Sequence, residues 1–126
     1  MHPTAQSSKN CEMLIGELCR RTGTSKGAIR HYESLGLIIS KPRQAGSRIY
    51  REFEEDAIRR LEIIKNGKKF GFKLAEGRDI LEALVNNKLS VKQRKEILEG
   101  RLNDIDRQIL ELQTVRKEIE SKIKSL

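Results

Sequence analysis

Leu98, Ile105, Leu112, Ile119 and Leu126 stand seven residues apart, and Leu102, Ile109 and Ile123 form a companion set four residues after the first. Arg116 interrupts the second set, with the apolar Val115 beside it. Heptads apolar at two positions mark a coiled-coil seam, in which each side chain enters a hole on a facing helix. No proline falls within residues 90–126. The pattern therefore predicts one continuous helix about 55 Å long at about 1.5 Å per residue, with Gly100 as its weak point. The rest of a 126-residue chain is too small to cover such a stripe. A second helix is required, and a second copy of the chain is the expected source, because closed twofold assembly is the common solution. The expected dimerisation residues are Leu98, Leu102, Ile105, Ile109, Leu112, Ile119 and Ile123.

The formal net charge is +8, and it is unevenly placed. Residues 1–73 hold 15 Lys and Arg against 8 Asp and Glu, whereas residues 74–126 hold 11 against 10. A basic field of this kind attracts nucleic acid, acidic membranes or acidic proteins, and charge alone does not choose among them. No run approaches the roughly 18 apolar residues of a membrane span. The first ten residues are polar and lack the apolar centre of a signal peptide. Residues 1–12 are expected to be a disordered tail and the protein to be cytoplasmic, with Cys11 and Cys19 as reduced thiols.

From Met13 onward the signals are short. Ile15 to Thr22 reads as a helix with Leu18 and Cys19 inward, ended by Gly23. Ser25 supplies a cap for a second helix over Lys26 to Leu35, closed by Gly36. Two short helices joined by a Gly-containing turn outline a helix-turn-helix. Ile29 is the packing residue of the second helix, helped by Tyr32 or Leu35. Lys26, Gly27, Arg30 and His31 are polar or small, as a recognition helix facing base edges and phosphates needs. Leu37–Ile39 and Ser47–Arg51 read as the strands of a wing, with a turn over Lys41 to Gly46. Lys41, Arg43, Arg48 and Arg51 with Tyr50 suit a phosphate ridge and its groove.

Glu52, Glu54, Glu55 and Asp56 gather where a third helix begins, complementing its positive end. Ala57, Ile58, Leu61 and Ile64 then recur at helical spacing. Phe70 and Phe72 are expected in the core. A fourth helix is expected over Leu74 to Val85, with Ile80, Leu81 and Leu84 inward and Asn86-Asn87 at its end. The expected division is thus a tail over 1–12, a DNA-binding domain over 13–88 and a dimerisation helix over 89–126.

The residues Ile15-Gly16-Glu17-Leu18, Gly23-Thr24-Ser25, Ile29-Arg30-His31-Tyr32-Glu33, Gly36-Leu37-Ile38, Pro42-Arg43, Gly46-Ser47-Arg48-Ile49-Tyr50 and Phe70-Gly71-Phe72-Lys73-Leu74 stand in one order. In that order the chain resembles the MerR family of bacterial transcription regulators over about residues 13 to 81, and the terminal heptads complete the plan. The resemblance implies a mainly α fold: a winged helix-turn-helix with a small β-hairpin wing, a second helix pair, and a long helix pairing antiparallel with its twin. It implies a homodimer on a pseudo-palindromic promoter, whose long spacer is bent and untwisted so that RNA polymerase engages both promoter elements. It gives DNA contacts to Arg30, His31 and Tyr32 in the helix-turn-helix, to Arg43, Arg48 and Tyr50 in the wing, and to Lys65 in the third helix; Ser25 and Lys26, at the start of the recognition helix, are expected to contact DNA with them. Ala28 stands where the family commonly has Thr, and Gly77 where it has an apolar residue.

In the family, signals bind at or beyond the far end of the long helix. These 126 residues stop at Leu126, inside the helix pattern, so no effector domain is expected within them. Metal-responsive members carry cysteines around the long helix, and this chain has none there. No metal and no cofactor is expected, and His31 has no second ligand at suitable spacing. No nucleophile triad, phosphate loop or paired carboxylates with a base appear, which disfavours an enzyme. The expected function is promoter-specific regulation with double-stranded DNA, a second copy and RNA polymerase as partners. The alternative is an architectural, chromosome-organising use of the same module.

Overall fold

The computed structural model describes residues 13–126, so the expected tail with Cys11 lies outside the described residues. The chain divides into two units, one ending at Lys88 and one running from Leu89 to Leu126.

Local signals build the first unit. Helix α1 (Ile15–Thr22) ends at Gly23, where a φ of +71° lets the glycine N–H return to the Cys19 carbonyl at 2.8 Å. Helix α2 (Lys26–Ser34) is capped by Ser25, whose hydroxyl accepts the Ala28 N–H at 3.1 Å. That bond replaces one of the partners a helix start lacks. Gly36, at φ +76°, closes α2. Its N–H reaches the Glu33 carbonyl at 3.0 Å and the Leu37 N–H reaches the Tyr32 carbonyl at 2.9 Å. This paired closure turns the chain sharply. Leu37 and Ile38 therefore both enter the core.

That turn corrects the wing. Leu37–Ile39 is no strand; the hairpin is β2 (Ser40–Ala45) and β3 (Arg48–Phe53), joined by Gly46-Ser47 alone. Gly46 has φ +64° and Ser47 has no positive φ, which is the type II′ geometry that matches strand twist. Pro42, expected in a turn, lies in β2, an edge strand where a missing N–H is tolerated. A two-residue strand, β1 (Met13–Leu14), pairs antiparallel with the far side of β3, giving the order β1-β3-β2. So short a strand carries no periodic signal.

Helix α3 (Asp56–Lys69) buries Ala57, Leu61 and Ile64 as expected, with Ile58 half-buried. Gly77 splits the expected fourth helix into a 3-10 turn, Leu74–Glu76, and helix α4 (Arg78–Val85). In α4 Leu81 is buried, while Ile80 and Leu84 are half-buried. Asn87 takes φ +54° beyond its end. The core gathers Met13, Leu18, Ile29, Tyr32, Leu37, Ile38 and Phe53 against α3 and Leu81. Phe70, expected inside, is 47% exposed, because it lies past the last buried turn of α3.

The second unit is helix α5 (Val91–Ser125), without a break at Gly100. Ser90 and Gln93 form a reciprocal capping box: the Gln93 N–H donates to the Ser90 hydroxyl at 3.1 Å and the Ser90 N–H to Gln93 Oε1 at 2.8 Å. No residue of α5 is buried. Leu98, Leu102, Ile109, Leu112, Ile119 and Ile123 are exposed, and Ile105 is half-buried.

One charged side chain holds several elements. Arg60 is 8% exposed, yet its guanidinium donates to Asp56 at 3.0 Å, to the Leu37 carbonyl at 3.2 Å and to Glu82 Oε1 at 2.8 Å. The Arg60 hydrogen bond, strengthened by the charges of Arg60 and Arg78, holds the Glu82 carboxyl below its ordinary range against a desolvation that opposes it. The Glu82 side chain is 40% exposed, so solvent screens part of this gain. Glu82→Gln is expected to destabilise the unit by about 1–2 kcal/mol at neutral pH. A carboxyl with a lowered folded-state pKa stabilises above its unfolded value and loses that contribution as pH falls through the folded one. Urea unfolding should therefore bring variant and wild type together as pH drops below about 4; a gap that persists at acid pH would contradict this role.

Candidate nucleic-acid interface

Helix α2 is divided by its periodicity. Ile29 and Tyr32 lie in the core, and Lys26, Gly27, Arg30, His31 and Ser34 are exposed on the other side. Gly27, Arg30 and Ser34, at spacings of three and four, share one face. Among the described residues, nothing beyond the local helix backbone lies within 4 Å of a Cβ built at Gly27, so that face is open. Among the described residues, Lys26 and Arg30 form no ion pair. Such unspent donors suit phosphate oxygens and base edges. Ser25 spends its hydroxyl on the cap rather than on the open face. Tyr32, read both as packing support for Ile29 and as a DNA contact, is 6% exposed, a core residue whose ring lies 6.0 Å from that of His31. Its neighbour His31 faces outward.

The wing register does what the sequence alone left open. Arg43 pairs with Tyr50, Lys41 with Glu52 and Ala45 with Arg48. Because successive side chains alternate across a sheet, Lys41, Arg43, Arg48 and Tyr50 share one face. Glu52 and Glu54 hold the base of that face, with Arg43 Nε 3.2 Å from Glu52 and Lys41 Nζ 2.8 Å from Glu54. The Lys41–Glu54 pair is exposed on both sides and is worth at most about 1 kcal/mol, so an anion competes with it readily, whereas the buried Glu52 carboxylate holds Arg43 more firmly. Arg48, beside the tip, has no ion pair among the described residues. Positive charge is thus least neutralised at the tip and on α2.

Lys65 points to α1: its Nζ donates to the Thr22 carbonyl at 3.0 Å and lies 3.9 Å from a Cβ built at Gly23. A cation there complements the negative end of α1. Arg51, read from sequence as one more wing cation, reaches back to Glu33 and Ser40. Arg59 closes α4, donating to the Leu84 carbonyl at 3.1 Å and Asn87 Oδ1 at 3.0 Å. No spacing rule links residues so far apart, and only the fold brings them together. Cys19 is a half-buried free thiol packed on the core. Among the described residues no three His, Cys, Asp or Glu side chains gather as a metal site, and no helix is long and apolar enough to cross a membrane.

Comparison with known proteins agrees with this arrangement. The family model described as MerR HTH family regulatory protein matches residues 13–84, and the model described as MerR, DNA binding matches residues 58–122. The chain is 31% identical over 108 residues to the HTH-type transcriptional regulator HmrR of Rhizobium leguminosarum bv. viciae, spanning 86% of this chain and 81% of that protein. It is 30% identical over 103 residues to the mercuric resistance operon regulatory protein of Bacillus cereus, spanning 82% of this chain and 76% of that one. In fold it is similar to HiNmlR, a MerR family regulator lacking the sensor domain and crystallised on promoter DNA, with a TM-score of 0.52 at 20% identity over 89% of this chain and 87% of that one. The chain belongs to the MerR family and is a transcriptional regulator with a DNA-binding helix-turn-helix.

Proposed function

We propose that two copies of this chain bind a pseudo-palindromic promoter as a homodimer and control transcription by distorting the spacer DNA, so that RNA polymerase engages both promoter elements. The observation that carries the reading is the open cationic face of α2 in the same folded unit as a wing with Arg43, Arg48 and Tyr50 on one face. Residues 13–88 serve as the DNA-binding domain and residues 89–126 as the dimerisation helix. Lys26 and Arg30 read the major groove, with Ser25 and His31 beside them. Arg43, Arg48 and Tyr50 engage the backbone beyond it, and Lys65 adds a phosphate contact without leaving the end of α1. Tyr32 supports the helix from within. The protein works in the cytoplasm, where the nucleoid is, and no catalytic step or cofactor enters this function.

The pairing of copies rests on α5. Leu112 is 68% exposed and Ile123 64% exposed, and a seam of such residues in water forgoes about 1 kcal/mol or more at each position. A second α5 covers them. Bringing two equivalent recognition helices to one duplex makes the preferred site an inverted repeat. Distortion of the intervening DNA then adds specificity at bases the protein does not touch.

Selection from random duplexes should enrich an inverted repeat, and Arg30→Ala should weaken binding to it by about 1–3 kcal/mol at fixed salt. An unchanged dissociation constant would remove Arg30 from the readout, and failure to enrich any sequence would sink the regulator reading. Leu112→Lys puts a charge in the seam and should halve the mass measured by light scattering; a dimeric mass would place the pairing surface elsewhere.

A further inference from the structure

Arg51 lies on the opposite face of the wing from Arg43, Arg48 and Tyr50. Its Nε donates to the Ser40 hydroxyl at 2.8 Å, and its Nη2 donates to Glu33 at 3.3 Å and to the Ser40 carbonyl at 3.4 Å. The Ser40 hydroxyl in turn donates to the same Glu33 oxygen. Ser40 is buried and Glu33 half-buried. A closed set of charge-assisted bonds therefore joins α2, the first residue of β2 and the middle of β3. The Arg51 side chain is 55% exposed and its Nη2 contacts are long, so the short bonds at the buried Ser40 hydroxyl anchor the set, and the planar guanidinium fork gives it direction.

Their position gives them leverage. The hairpin leaves the core at Ser40 and Phe53 and extends six residues to its tip, about 20 Å at about 3.3 Å per residue. A swing of about 10° at the base then moves the tip by about 3 Å, enough to lose every hydrogen bond made there. We infer that Arg51, through Glu33 and Ser40, is a positioning residue that sets the angle of the wing to the recognition helix and so determines DNA specificity without touching DNA. The inference rests on the DNA-binding reading above.

The ordinary expectation for a wing arginine is a phosphate contact, and the two roles differ in what they do to salt dependence and to Glu33. A lost phosphate contact lowers the slope of log K against log salt by about 0.9. Removing Glu33 would free a phosphate-binding arginine and leave specificity intact. Removing it from a positioning set loosens the wing.

Wild type, Arg51→Ala, Ser40→Ala, Glu33→Gln and the Arg51→Ala/Glu33→Gln double variant should be titrated across a salt series. The probes are the operator recovered by selection and a scrambled duplex of the same length. Each single variant is expected to lower the operator-to-scrambled affinity ratio roughly fivefold or more, with the operator salt slope unchanged. The double variant should be no worse than the weaker single one within about twofold, the mark of residues acting as one unit. Thermal melting monitors the fold, and Ser40→Ala, which deletes only a hydroxyl, carries the comparison if Arg51→Ala melts early. A salt slope lowered by about 0.9 in Arg51→Ala, an unchanged ratio in Glu33→Gln, or additive losses would each overturn the inference. If wild type enriches no operator, the DNA-binding reading fails, and the role assigned to Arg51 fails with it.

Discussion

A guanidinium taken out of water needs acceptors in every direction its donors point, and Arg60 finds them on three elements. Asp56 comes from its own helix, Glu82 from α4, and the Leu37 carbonyl from the turn that follows α2. Burying such a group without partners is far more costly than leaving it in water. The three elements therefore hold one arrangement, and the exit of α2 is set against the second helix pair. Core packing around Ile29, Leu37 and Leu61 supplies the nonspecific cohesion. The directional bonds of Arg60 add geometry to it.

Much of this fold is legible in the residues, where local physics decides. Gly23, Ser25, Gly36 and Ser90 each end or start a helix because their backbone freedom or hydroxyl suits that position. The heptads of α5 predict a helix that runs unbroken through Gly100. What escapes the sequence depends on partners far away. Leu37-Ile38-Ile39 reads as a strand by composition, yet the closure at Gly36 sends its first two side chains inward. Phe70 reads as core by hydropathy and ends up past the last buried turn. Tyr32, by contrast, reads as DNA-facing by resemblance and as a packing residue by its spacing from Ile29, and the spacing agrees with its buried place on α2. The ties of Arg51 to Glu33, Arg59 to Asn87 and Arg60 to the Leu37 carbonyl join residues 18 to 28 positions apart, beyond any periodic rule.

The same economy governs the charges. Of the basic side chains near the helix-turn-helix, those with structural work are partnered: Arg51 with Glu33, Arg60 with Glu82, and Lys65 with the end of α1. Arg30 and Arg48, whose tasks in the proposed complex lie outside the chain, form no ion pair among the described residues. A carboxylate can weaken an electrostatic contact with DNA by competing for its cation, so unpaired cations mark where an external anion is most favoured. That distribution ties the proposed function to the fold: internal acceptors hold the cations that shape the unit, Glu52 and Glu54 hold Arg43 and Lys41 at the base of the wing, and the charge left for an outside anion is concentrated on α2 and at the wing tip.

Hydroxyl-radical footprinting of the full chain on its selected operator tests the central claim most directly. Two equivalent copies should protect two identical patterns related by a dyad, each with a recognition-helix patch flanked by a wing patch. A single unsymmetrical patch, at protein concentrations that saturate the site, would contradict a paired regulator.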